Sequence, residues 1–82
     1  MSKELKYVIF DNCGITIPVV FPSDIGVTHR DIDVLDCKPI SAGLCKLDGV
    51  NTKCYGNSPS LHLQSRPEID AEIIIERFFK DN

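Results

Sequence analysis

The chain has 82 residues, 43% hydrophobic and 26% charged, which bounds it to one domain with a single core and excludes a disordered polymer. Nine Lys and Arg stand against twelve Asp and Glu, the net charge is -3, and no basic run occurs. Nucleic-acid binding, which draws its affinity from phosphate neutralisation, is disfavoured.

Residues 1–6 lack the uninterrupted apolar stretch of a signal peptide, and no window approaches a membrane span. A cytoplasmic location follows as the expectation, with the four cysteines kept as reduced thiols.

In chain order, residues 5–10 are β-branched and aromatic and predict a half-buried strand. A turn cluster at 11–14 and a second strand over 15–21 complete a hairpin, with Pro18 pushing the second strand toward an edge or bulge. Thr28 is placed to cap a short helix over 28–35, with Asp31 in its first turn and Ile32 and Leu35 facing inward. Asp48-Gly49 predicts a two-residue hairpin between strands at 40–47 and 50–56. That register sets Cys45 opposite Thr52 and Leu47 opposite Val50, with Gly43, Cys45, Leu47, Val50, Thr52 and Cys54 on the core face.

Ser60 to Gln64 alternates and predicts a short last strand, Leu61 and Leu63 on one side and His62 on the other. Ser65-Arg66-Pro67-Glu68 has the form of a capping box with Pro67 in the first turn, opening a helix from about 66 to 80. Ala71, Ile74, Ile75 and Phe78 make its buried stripe, and Glu76 and Lys80 an exposed i, i+4 pair. Ile69, Ile73 and Phe79 widen the apolar surface beyond that stripe: either the sheet wraps around the helix, or these candidate interface residues await a partner. The fold class is α+β: an antiparallel sheet of about five strands in the order β-β-short α-β-β-β-α, with the C-terminal helix packed on it. One covering helix leaves the sheet's other face open, and a homo-dimer would bury it.

Few residues point to chemistry. Cys13, Cys37, Cys45 and Cys54, with His29 and His62, invite a zinc reading, yet no two cysteines lie within four residues of each other, so no metal site is assigned. Cys13 is placed in an exposed turn, and nothing in the sequence sets a base beside it. His29-Arg30-Asp31 repeats three letters of a kinase catalytic loop without the rest of its machinery and is read as a solvated helix start. Gly43, inside a strand, marks either room for a crossing helix or else a bulge or a close approach of backbone or ligand. The segment from Tyr55 to Arg66 is rich in hydrogen-bonding groups and ends at a helix N-terminus. Tyr55, Asn57, Ser58, His62 and Arg66 are its candidate ligand-binding residues, for an anion or nucleotide. No catalytic residue and no cofactor is assigned, so the chain is read as a non-enzyme.

Several runs carry a resemblance: Lys38-Pro39-Ile40-Ser41-Ala42-Gly43, Cys54-Tyr55-Gly56-Asn57-Ser58, Ser60-Leu61 and Ser65-Arg66-Pro67-Glu68. Together they resemble a group of short hypothetical proteins encoded by phages and prophages, over about the second half of the chain. In that group a P-[VI]-S-A-G strand precedes a C-x-G-x-S turn and an S-R-P-E helix start. The resemblance implies a phage origin and carries no known activity. Small acidic phage proteins often act by binding, so a host protein, such as an enzyme or defence system to be inhibited, is the expected partner. A small-ligand sponge is the alternative, and a structural zinc module a lesser one.

Overall fold

The computed structural model describes residues 4–24, 26–34 and 36–80. Strands β1 (Glu4–Asn12) and β2 (Ile15–Pro22) pair antiparallel with Asn12 opposite Ile15. Cys13 and Gly14 between them have φ of 53° and 90°, and two positive φ values in a two-residue loop make a type I′ turn. β3 (Lys38–Lys46) pairs with the other side of β1, and β4 (Lys53–Tyr55) with β3, giving an antiparallel sheet in the order β2-β1-β3-β4. β5 (Asn57–Ser58) and β6 (Leu63–Gln64) form a separate two-stranded ribbon, and α1 (Pro67–Phe78) packs on the main sheet. The α+β class and the C-terminal helix stand as expected.

The details depart from expectation where local hydrogen bonds outweigh pattern. The main sheet holds four strands, because Ser60 to Gln64 is strand only at Leu63–Gln64. Ahead of it the chain turns, with His62 N–H bonding Pro59 O and His62 at φ 57°. The helix expected over 28–35 shrinks to a 3-10 turn, His29–Asp31. Beyond it Ile32 and Val34 both pack into the core while Asp33 is exposed, a period of two that suits β-branched residues in extended chain. Leu35 lies outside the described residues.

The Asp48-Gly49 turn is displaced. Cys45 stands opposite Cys54, and residues 47–52 form the connection. Asp48 closes its own turn by accepting Asn51 N–H, and Thr52 Oγ1 accepts Asp48 N–H while donating to Gly49 O. The shift is two residues, so the parity of faces survives and Cys45 and Cys54 remain buried on one side. Val50, expected on the core face, is instead 76% exposed at the turn.

Strand β1 is central and buried on both faces. Tyr7 and Ile9 pack with Cys45, Cys54 and Ile74 under α1. Val8 and Phe10 face the opposite way with Phe21 and Ala42, and Val27, Ile32, Val34, Cys37, Leu61 and Leu63 cover them. The second face of the sheet is thus closed by the 26–37 connection and the β5–β6 ribbon. The open face expected to invite a second copy does not exist among the described residues.

Along α1 the buried stripe is also shifted. Ile74 is fully buried and Ala71 and Ile75 are half-buried, but Phe78 is 51% exposed. The last helical turn lies at the sheet's edge strand, where Arg77 Nη2 donates to Thr16 O, and Phe78 has little sheet left to cover it.

His29 is buried rather than a solvated helix start. Its Nε2–H donates to Gly43 O at 2.8 Å, and its ring meets Phe21 edge-on at 5.7 Å. Burial lowers its pKa below the usual imidazole value, and the nearby Lys6 ammonium acts in the same direction. A base that charges less readily when folded contributes stability that is complete above its unfolded pKa and is lost as pH falls through the folded one. Denaturant melts should therefore show the wild type less stable at pH 5 than at pH 7.5, and His29→Gln should flatten that slope. An unchanged slope in the variant would remove His29 as its source.

Candidate functional site

Asp70 sits on the first turns of α1, faces the sheet, and is fully buried. Its carboxylate gathers donors from three elements. Tyr7 Oη of β1 donates to Oδ2 at 2.6 Å, and Ser41 Oγ of β3 donates to Oδ1 at 2.9 Å. Arg66 donates its backbone N–H to Oδ2 at 2.8 Å and its Nε–H to Oδ1 at 3.0 Å. Arg66 Nη2 also lies 3.0 Å from Oδ1, as an ion-pair contact without hydrogen-bond alignment. Buried polar groups need such partners, because each one left unpaired costs about 1–3 kcal/mol.

This arrangement replaces the capping box expected at Ser65 and Glu68. The N-cap is Arg66, whose side chain caps no backbone N–H of the helix, and Glu68 is exposed. Ser65 instead closes the ribbon, its N–H bonding Gly56 O at 3.1 Å. The Asp70 carboxylate reaches back to the free Arg66 N–H and occupies the position an external anion would take at a helix N-terminus.

A β-bulge helps Ser41 reach Asp70. The β1–β3 register slips between Ile9 and Phe10, so Ile40 is the extra residue. Ile40 packs against the helix-side core while Ser41 beside it bonds Asp70. Gly43 marks a close approach of backbone, not room for a crossing helix. A Cβ there would stand 2.5 Å from Tyr55 O and 3.1 Å from Ser65 Cβ.

The five candidate ligand residues do not act together. Tyr55 Oη donates to the Glu4 carboxylate, and partial burial and that contact push its hydroxyl up to about 12. Asn57 is exposed on β5. Ser58 is fully buried, and its Oγ accepts Leu61 N–H within the turn. His62 is exposed, and Arg66 is held on Asp70. Among the described residues no hydrogen bond or ion pair joins any two of the five.

The three candidate interface residues lie on one side of the helix and at its end. Ile69 is 54% exposed, Ile73 is half-buried against the core, and Phe79 at the C-cap is 42% exposed. A groove of about 580 Å3 runs along α1, lined by Ile69, Ile73, Glu72, Glu76, Arg77, Lys80 and Thr16 of β2. Glu68, Glu72 and Glu76 recur every four residues and are all exposed, so they form an acidic ridge beside Ile69 and Ile73. Glu76 pairs with Lys80 at 3.0 Å as expected.

The edges of the sheet offer less. The two-residue turn makes Asn12–Ile15 a hydrogen-bonded pair, so alternation points the backbone groups of Thr16, Pro18, Val20 and Pro22 away from β1. Two of these four are prolines without N–H, and Thr16 O is taken by Arg77. The opposite edge, β4, is three residues long.

Among the described residues, no three His, Cys, Asp or Glu side chains cluster closely enough to hold a metal ion, and no helix is long and apolar enough to cross a membrane. No protein-family profile, curated protein or solved structure matches the chain.

Asp70 was the residue that sequence reasoning missed. Its signal was present: an acidic side chain four residues before Ile74, on the helix's buried stripe. Asp70→Ala should destabilise the fold by about 3–5 kcal/mol in denaturant melts, and Tyr7→Phe by about 1–3 kcal/mol. Gly43→Ala should cost about 2–3 kcal/mol through its clash with Tyr55 O. A near-neutral Asp70→Ala would show that the network carries little of the stability.

Proposed function

We propose that this is a small non-enzymatic binding protein of the phage accessory type, which acts in the host cytoplasm by docking the exposed side of α1 on a host protein. The observation that carries the reading is the apolar surface that remains after both faces of the sheet are covered. Ile69 and Ile73 line a groove, and Phe78 and Phe79 stay half-exposed at the helix end. Such surface on a small chain is a mark of an interaction site. The proline-blunted edge of β2 argues against strand addition as the mode of contact. The exposed carboxylates of Glu68 and Glu72, beside a Glu76 already paired with Lys80, argue for a partner surface with an apolar centre and Lys or Arg at its rim.

The chemistry available elsewhere fits a non-enzymatic role. Burial pushes the Cys45 and Cys54 thiols up to about 12, and burial with the Asp70 contact pushes the Tyr7 hydroxyl above its usual range. None of these groups is poised to act as a base or nucleophile near neutral pH. The small-ligand reading is the weaker one, because Arg66 and the helix N-terminus already hold the chain's own carboxylate.

The test is affinity capture from bacterial lysate with wild type, Ile69→Glu and Glu72→Lys, after melts confirm that both variants fold. A partner retained stoichiometrically by wild type, weakened by salt and lost from both variants, is the expected result. Identical capture by all three proteins would refute the α1 surface as the site.

A further inference from the structure

Two side chains with redox chemistry face each other inside the sheet. Cys45 of β3 and Cys54 of β4 are direct antiparallel partners, 0% and 5% exposed, on the face beneath Ile74. Both are free thiols in this structure. Directly opposed residues on antiparallel strands have Cα atoms about 4.5–5.5 Å apart. A cystine spans about 4.4–6.8 Å, so the backbone already holds the pair at bonding range. Neither of the other cysteines is so placed: Cys13 is in the exposed β1–β2 turn, and Cys37 packs on the opposite face of the sheet.

We propose that Cys45 and Cys54 are a reversible dithiol–disulfide couple, closed by a glutathione-type disulfide, whose closure staples the edge strand β4 to β3. The Cys54 thiolate attacks one sulfur of the oxidant, forming a mixed disulfide and releasing one thiolate that takes up a proton. The Cys45 thiolate then attacks Cys54 Sγ, forming the Cys45–Cys54 bond and releasing the second thiol. In sum, the protein gives up two electrons and two protons, and the oxidant becomes two thiols.

Cys54 is the entry point because β4 is three residues long and lies at the sheet's edge, whereas Cys45 is held between β1 and β4. Burial keeps both thiols protonated, so each attack waits for β4 to lift from the sheet. A short edge strand opens locally, without unfolding the whole domain. Closure fixes the strand on which α1 rests and leaves the exposed side of α1 unmodified.

The experiment uses the full chain carrying Cys13→Ser and Cys37→Ala. The folded protein is equilibrated in buffers of graded reduced and oxidised glutathione, quenched with an alkylating reagent, and read by intact mass, peptide mapping and melting. The expected result is loss of two hydrogens, a bond mapped to Cys45–Cys54, full reversal by reduced glutathione, and a melting temperature raised on the order of 10 °C. Adding Cys54→Ser should abolish the oxidant-dependent melting shift. The proposal is overturned if both thiols remain alkylatable after unfolding at every ratio. It is equally overturned if only single glutathione adducts form, or if the oxidised form melts lower. Should Cys54→Ser fail to fold, the mass and mapping of the parent protein decide alone.

Discussion

The structure depends on one buried carboxylate. Asp70 ties the start of α1 to β1 through Tyr7, to β3 through Ser41, and to the chain entering the helix through Arg66. An apolar side chain in its place would still pack, but it would not fix where along the sheet the helix sits. Hydrogen bonds to two strands at once set both the crossing point and the rotation of the helix. The rest follows from that setting: Ile74 lands in the core, Ile69 is turned outward, and the last turn falls at the edge strand. Arg66, about one-third exposed, completes the set through Nε, while its Nη2 is buried against Asp70 without an aligned hydrogen bond.

A second constraint is that β1 must serve two cores. Four consecutive residues, Tyr7 to Phe10, are essentially inaccessible. A strand buried on both faces needs cover from both sides, and the described residues supply one long helix. The other cover is assembled from pieces without much regular structure: the 26–37 connection and the β5–β6 ribbon. His29 pins the first of these through Gly43 O. The absence of a Cβ at Gly43 admits the Tyr55–Gly56 corner through which the chain passes from sheet to ribbon.

The regular parts of this arrangement were legible in the sequence. The β1–β2 hairpin, the C-terminal helix and the α+β class follow from β-branched runs, turn residues and helical spacing, which are local signals. What the sequence concealed was set by specific hydrogen bonds that outweigh the residue pattern. The register of β3 on β4 depended on Asp48 and Thr52 choosing each other over a two-residue turn. The capping role moved from Ser65 to Asp70 because Ser65 was needed at Gly56 O. Of the candidate site, Ile69 and Phe79 are exposed, whereas Ser58 and Arg66 are engaged within the fold. Their polarity reported on internal structure, and composition alone cannot separate a polar group facing solvent from one closing a turn.

The separation in sequence between Tyr7 and Asp70 has a consequence for how the chain acquires its shape. The β1–β2 hairpin needs only neighbouring residues and can pair within microseconds. Tyr7, at the middle of that hairpin, finds its hydrogen-bond partner 63 residues later. Until the segment bearing Asp70 is made, the Tyr7 hydroxyl can pair only with water and the helix-side face of the hairpin lacks its cover. Contacts of such long range slow the search for the native topology. Docking of α1 thus supplies at one stroke the partner of the Tyr7 hydroxyl and the cover of the helix-side core.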